Sequence, residues 1–378
     1  MTDAALDGIL VADFSRVLAG PLCSQTLADL GADVIKVEHP DGGDDTRQWG
    51  PPFVDEGSTY YLGLNRGKRS LTLNLRDDGD KALAHELCRR ADVIIESFRP
   101  GTMDRLGFGW EAVQQYNPKA IYTSISAFGS GEDGAALPGY DLLVQAMSGY
   151  MSINGLADGP ATKTSTALVD LTTGLYAATG TLAALRERER SGEGQHLEVA
   201  LLDSALAMLL NIGSGFLNTG ELPVRSGNAH PSIAPYQTIP TASGDLALAV
   251  GNDAIFSRLC EELGRPELAT DERFASNSER VVHRDALIEL LSGIFAEESA
   301  QVWTVRLTAA GVPAGPVNDI REAYDFAQQL GLEPIVELDG VKSTRSPMRL
   351  SRTPADPQTR PPRLGEHNDE LRDWLGKP

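Results

Sequence analysis

Short apolar runs alternate with amphipathic stretches of helical period along the first third of the chain. GILVADFS (8–15) reads as a buried strand, and PLCSQTLADLGA (21–32) reads as a helix that Pro21 starts and the Gly31 region stops. DVIKVEH (33–39), SLTLNL (70–75), DVIIESF (92–98) and AIYTSISAFG (120–129) read as further strands. DDGDKALAHELCRRA (77–91) and a segment near Trp110 carry helical periodicity between them. Strands alternating with helices predict parallel β-α-β units and a Rossmann-like sheet.

From about Gly139 the pattern turns helical. GYDLLVQAMSGYM, DLTTGLYAATGTLAALRERER and LLDSALAMLLNIGSGFL are three long segments dense in Leu, Ala and Gly. Small residues at that density let helix backbones approach closely. SGEGQ (191–195) ends the second of them and HLEVAL (196–201) supplies a strand. The Pro- and Gly-punctuated stretch 220–245 marks a domain junction. Beyond it LALAVGN reads as a strand, followed by helices around 253–264, 279–297 and 299–310. The Pro- and Arg-rich tail, with strand-like VELDG and RSPMRL, is expected to pack back onto the first domain. The fold class is therefore α/β. A large Rossmann-like domain over 1–220 precedes a smaller α+β domain over 221–330, and a segment over 331–378 returns to the large domain.

Composition narrows the function. The 378 residues are 41% hydrophobic and 23% charged, as in a globular chain with a sizeable core. The longest apolar stretch, around Ala167–Leu185, is interrupted by Asp170, several Thr and two Gly, and MTDAALDGI has no signal-peptide character, so no membrane partner is expected. Cys23, Cys88 and Cys260 are few, odd in number and far apart, which fits a reduced cytoplasmic protein. A net charge of -20 argues against nucleic acid. A phosphorylated small ligand would need a local basic patch. Arg66, Lys68 and Arg69 in NRGKRS offer one, with Arg99 and Arg105 beyond the next strand, unless they are simply solvated charges.

Several chemistries lack their motifs. The first strand–helix turn, DFSRVLAGP, has no GxGxxG, and no GxxxxGK[ST], HExxH or GxSxG occurs. The six histidines are scattered without metal-ligand spacing, and no metal site is expected. His230, in the Pro-bracketed loop NAHPSIAPYQ, is a site candidate or a hydrogen-bonded loop residue. Asp170 stands alone in a neutral run from Ser165 to Leu185. It is either the N-cap of the following helix or a nucleophile, and local sequence leaves both readings open.

Seven stretches in order, VADFSRVLAGP, ADLGADVIKVEHPDGGDDTR, YYLGLNRGKRSLTLNL, ADVIIESFRPGTMDRLGFGW, SISAFG, GYDLLVQAMSG and ALVDLTTGLYA, resemble the family III CoA-transferases, the formyl-CoA and carnitine-CoA transferase group. The resemblance runs from about residue 8 to 240, and AAGVPAGPVND extends it. GDDTRQWGPPFV, STYYLGLNR and NAHPSIAPYQ are most similar to the succinyl-CoA:glutarate type of dicarboxylate transferase. The resemblance implies a Rossmann-like large domain, an interlocked ring-like homodimer, and transfer of CoA from an acyl-CoA donor to a small carboxylate acceptor. It places Asp170 as the catalytic residue, passing through an aspartyl anhydride and an aspartyl-CoA thioester. The CoA thioester is then a substrate, with no tightly bound cofactor. Exchange of one thioester for another is nearly thermoneutral, so no ATP site is required. A free carboxylate, with a pKa of about 3.9, is ionised at neutral pH without a general base. A helix N-terminus would help hold Asp170 so, and its amides would assist an oxyanion.

By the same resemblance, CoA contacts fall on Arg16, Val17, Ala19, His39, Leu73, Asn74, Ser97, Phe98, Arg105 and Tyr140. Pro138 stands where formyl-CoA transferase has a basic contact, which passes that role to Arg99 or Lys68. His230 and Arg16 are the candidate cations for a dicarboxylate acceptor. The α-methylacyl-CoA racemases of the superfamily carry His where GYD here has Tyr140, and a phenol does not take a proton at its ordinary pKa. Transfer is favoured over racemisation, and a non-catalytic CoA-binding role is disfavoured by the presence of Asp170. Formyl-CoA transferase covers its aspartate with a glycine-rich loop, whereas AVGNDAI (249–255) here has no glycine run.

Overall fold

Six strands build the central sheet of the computed structural model, which describes residues 4–356 and 359–377. Five of them are largely buried, whereas in the last, an edge strand, Ala200 alone is buried. The six are β1 (Leu10–Asp13), β2 (Asp33–Glu38), β3 (Lys68–Thr72), β4 (Val93–Glu96), β5 (Ile121–Ser126) and β6 (Gln195–Ala200). All pair in parallel, in the order β3-β2-β1-β4-β5-β6. Strand order reverses between β1 and β4, and in doubly wound sheets the crevice beyond the carboxyl ends at such a point is where ligands bind.

Helices cover both faces. On one, α1 (Ala19–Asp29) and α4 (Leu168–Ser191) bury Cys23, Leu27, Val169, Ala177 and Ala178 against Val11, Val93 and Ile121. On the other, α2 (Asp78–Arg90) buries Ala84, Leu87 and Cys88 with Ile35, Leu71, Ile94 and Phe108. Helix α4 has the length and apolarity of a membrane span, yet packs into this layer alongside α1. The short helix α3 (Asp141–Met147) lies between α2 and α4 in sequence. The C-terminal helix Asn368–Leu375, not anticipated from sequence, closes the exposed edge of β3. His367 Nδ1 accepts the Ser70 amide, Asn368 Oδ1 accepts that of Thr72, and Leu371 is fully buried. An edge strand so covered cannot pair with another chain.

The chain divides into two compact units. One comprises the residues up to Tyr150, Lys163–Glu221 and those from Glu333 onward; the other comprises Met151–Thr162 and Leu222–Leu332. Residues 151–162, inside the 1–220 range of the sequence reading, thus group with the second unit. That unit holds an antiparallel sheet of Tyr236–Pro240, Asp245–Ala249 and Ala314–Pro316, over which Phe256, Phe274, Leu287, Phe295 and Trp303 form a separate core.

Three expected elements differ. The apolar run 201–217 is not one helix but Leu201–Met208 and Leu210–Thr219, bent by 83° where Leu210 takes a left-handed φ of 41°. The segment 279–297 splits into Asn277–Val282 and Arg284–Phe295 at His283. RSPMRL forms no strand; Ile335–Leu338 pairs instead with Val341–Thr344, a shorter hairpin that turns at Asp339 and Gly340.

Candidate active site

Two adjoining cavities open beyond the carboxyl ends of the strands. The first, of about 300 Å³, is lined by Arg16, Val17 and Ala19 after β1, Ser97, Phe98 and Arg99 after β4, Ala127 and Phe128 after β5, and Tyr140 and Asp170. The second, of about 410 Å³, is lined by Arg16, His39, Leu73, Asn74, Arg76, Phe98, Thr102 and Arg105. Arg16 and Phe98 belong to both, the guanidinium carbon 5.2 Å from the ring centroid. Asp170 and all ten anticipated contact residues therefore line one continuous groove. Arg76 lines the second cavity too; it was not singled out from sequence because it lies one residue past the strand motif, in a turn where Asn74 Oδ1 accepts its amide.

The β1–α1 turn is tightly held. Ser97 Oγ accepts the Arg16 amide at 2.9 Å, tying the loops after β1 and β4 together. Val17 has a left-handed φ of 70°, unusual for a β-branched residue. Its amide points at the Asp44 carboxylate, 3.3 Å from Oδ2. Asp44 is buried and paired with Lys36 at 2.9 Å, so a buried ion pair fixes the strained turn from below.

Asp170 is the third residue of α4 and not its N-cap; the cap is Ala167, which has no side chain to offer. Capping comes from α3, where Asp141 Oδ1 accepts the amides of Val169 at 2.9 Å and Asp170 at 3.3 Å. The Leu168 amide bonds to the Thr166 carbonyl and that of Leu171 to the Ala167 carbonyl. Every first-turn amide is thus occupied, and the expected oxyanion assistance from this helix end is not available. Two other influences act on the carboxyl. Burial, reinforced by the Asp141 charge, raises Asp170 to about 7. A half-buried acid beside a like charge resists ionisation.

The basic cluster of NRGKRS does not face this groove. Lys68 is fully buried and donates to Asp13 Oδ2 at 3.2 Å and to Asn65 Oδ1 and the Pro21 carbonyl at 2.9 Å. Arg66 is buried against Asp29 at 2.6 Å, and Arg69 bridges Asp33 and Glu370. Lys68 therefore makes no ligand contact, whereas Arg99 is exposed in the first cavity. The error has a physical origin: a sheet centre carrying Asp13, Lys36, Glu38 and Asp44 must pair its charges internally.

A third opening, of about 470 Å³, shares Val17, Tyr140 and Asp170 with the first and is also lined by Trp49, Tyr60, Asp141 and Leu142. Trp49 and Tyr60 meet edge to face at 5.2 Å. Burial first, and then the Asp170 charge, raise the Tyr60 phenol to about 12, so it stays a neutral donor. Neither residue was singled out from sequence, since single aromatics in a turn carry no periodic signal. His230 belongs to the second unit, where its ring packs at 5.3 Å from Tyr236 and its Nδ1 accepts the Ser232 amide. In the loop 249–255, Asn252 caps Asp253–Glu262. The three cysteines are free and buried, and among the described residues no cluster of His, Cys, Asp or Glu is arranged to hold a metal.

Comparison with known proteins converges on one group. A family model described as CoA-transferase family III matches residues 6–368. The chain is 44% identical over 377 residues to the succinate–glutarate CoA-transferase of Agrobacterium fabrum, covering 97% of this chain and 94% of that protein. It is 42% identical over 375 residues to the acetyl-CoA:oxalate CoA-transferase of Acetobacter aceti, covering 98% and 96% respectively. The crystal structure of a CaiB/BaiF family protein from Brucella suis superposes with a TM-score of 0.90 at 41% identity, over 99% of this chain and 100% of that one. A Rossmann-like sheet, a groove ending at an acid and full-length similarity agree: the chain belongs to the family III CoA-transferases.

Proposed function

We propose that the protein transfers CoA from an acyl-CoA to a small dicarboxylate, with Asp170 as the nucleophile. The observation that carries this reading is the placement of Asp170 at the meeting of the long groove and the opening beside Tyr60. CoA would lie along the groove with its phosphates toward Arg76 and Arg105, so that binding far from the sulfur orients the reacting carbon. An Asp170 oxygen attacks the thioester carbonyl, and the CoA thiolate leaves as the mixed anhydride forms. The thiolate then attacks the aspartyl carbon, releasing the donor carboxylate and leaving an aspartyl-CoA thioester. An acceptor carboxylate attacks that carbon and expels the thiolate, which finally attacks the acceptor's own carbonyl and frees Asp170.

The raised affinity of Asp170 for protons fits this role, because a more basic carboxylate is the better nucleophile once ionised. The Tyr60 phenol can donate to an acyl oxygen. Arg16, exposed in the same cavity, can pair with the second carboxylate of the acceptor. The dicarboxylate class is supported by the names of the two relatives above, which act on glutarate and oxalate. A homodimer belongs to this reading, supported by the apolar side chains of Leu210 and Leu217, which are 74% and 81% exposed. A reducing cytoplasmic setting is supported by three unpaired, buried thiols.

Incubation with donor acyl-CoA followed by hydroxylamine, read by mass spectrometry of the Asp170 peptide, tests the mechanism. An adduct on Asp170 in the wild type but not in Asp170→Asn is expected. Rapid deuterium uptake at the 2-carbon of a chiral 2-methylacyl-CoA, with no carboxylate acceptor present, would replace transfer by racemisation.

A further inference from the structure

Asp141 makes three hydrogen bonds that serve no substrate. Oδ1 accepts the Val169 and Asp170 amides, and Oδ2 accepts Gln145 Nε2. Gln145 is fully buried and its Oε1 accepts the Thr164 amide at 3.0 Å, so α3 clamps both the entry loop and the first turn of α4. Nothing among the described residues donates to the Asp170 carboxylate itself. The helix end that would ordinarily stabilise Asp170 is satisfied by its neighbour instead.

We propose that Asp141 is a positioning residue of the transfer reaction, one that fixes the turn carrying Asp170 while diverting that turn's amides and setting a like charge beside the nucleophile. The inference rests on the reading of Asp170 as nucleophile. Its consequence is a carboxylate that is fixed in place yet not neutralised by hydrogen bonds, and so keeps its lone pairs for the thioester. The charged and titratable groups facing Asp170 are Asp141 of α3, Arg16 of the β1–α1 turn, Arg99 after β4, Asp45, Tyr60 and Tyr140. Of these, Asp141 is the one bonded to the Asp170 backbone.

Two variants separate its functions. D141N keeps an oxygen for the two amides and removes the charge, giving up the Gln145 bond because its Nδ2 would meet the Gln145 Nε2 donor, whereas D141A removes the charge and all three bonds. The pH dependence of kcat/KM is measured together with an infrared titration of the Asp170 carboxyl band, obtained as wild type minus D170N and, in the variant background, D141N minus D141N/D170N. In D141N both midpoints are expected to move to lower pH by about half a unit or more, with kcat on the alkaline plateau within about threefold of wild type. In D141A the plateau is expected to fall by a further factor of about ten, because the turn is no longer fixed. An unmoved infrared midpoint in D141N overturns the inference, as does a D141N plateau as low as that of D141A. Since the infrared midpoint needs no turnover, it judges Asp141 even if the absence of an Asp170 adduct in the wild type sinks the nucleophile reading.

Discussion

Gly174 of α4 packs on the Ala19 carbonyl of α1 so closely that a β-carbon at position 174 would stand 2.7 Å from that oxygen and 3.1 Å from the Leu22 side chain. Position 174 is one helical turn beyond Asp170, so the contact sets the height of the acid against the β1–α1 turn. Gly174→Ala gains helix propensity of about 1 kcal/mol but must push two helices apart, at a cost of about 1–3 kcal/mol. Lower thermal stability, and a kcat reduced more than KM is raised, are the expected outcomes; unchanged melting and kcat would show that the helices yield freely.

Asp170 is where stability and activity oppose each other. Its pKa, about 7 in the fold against 3.8 unfolded, means that folding favours the protonated acid. The stabilising contribution is complete below pH 3.8 and is lost as pH rises through about 7. At pH 8, Asp170→Asn should therefore abolish transfer and yet stabilise the fold by on the order of 1–2 kcal/mol, discounted because the side chain is only half-buried. In the wild type kcat/KM should fall as pH drops below about 7, following loss of the ionised form. Denaturant titration of both forms at pH 5 and pH 8 checks the first statement and a pH-rate profile the second.

Arg76 and Arg105 edge the second cavity, away from Asp170. Replacing Arg76 with Ala should raise KM for the acyl-CoA by about tenfold through one lost charge-assisted contact, with kcat little changed. A kcat effect with constant KM would place the phosphates elsewhere.

Asp13 and Lys68 stand 3.2 Å apart with neither exposed. Burial alone would raise the Asp13 carboxyl, but the charges of Lys68 and Lys36 and the hydroxyls of Ser15 and Ser24 outweigh it and hold it at about 2. Its stabilisation is present above pH 3.8 and lost as pH falls toward 2. Asp13→Asn leaves Lys68 without its ion-pair partner in the sheet, while Lys36 keeps Asp44, and should destabilise by about 3–5 kcal/mol in urea. A variant melting like the wild type would mean that water reaches the site.

The strand-and-helix alternation of residues 8–129 was legible because buried parallel strands read as short, mainly apolar runs and the acids from Asp77 mark a helix start, whereas the helix expected from Pro21 begins two residues earlier, at Ala19. The groove residues were legible because they follow the strands directly in sequence: Arg16, His39, Asn74 and Ser97 each sit just past a carboxyl end. What only the tertiary structure decided is how charge is shared between segments far apart along the chain. Asp141 caps the helix that bears Asp170 from 29 positions away, and Lys68 turns inward to an acid 55 positions earlier. Local sequence records which groups are ionisable, whereas burial and the nearest opposite or like charge decide what they do, and both are properties of packing.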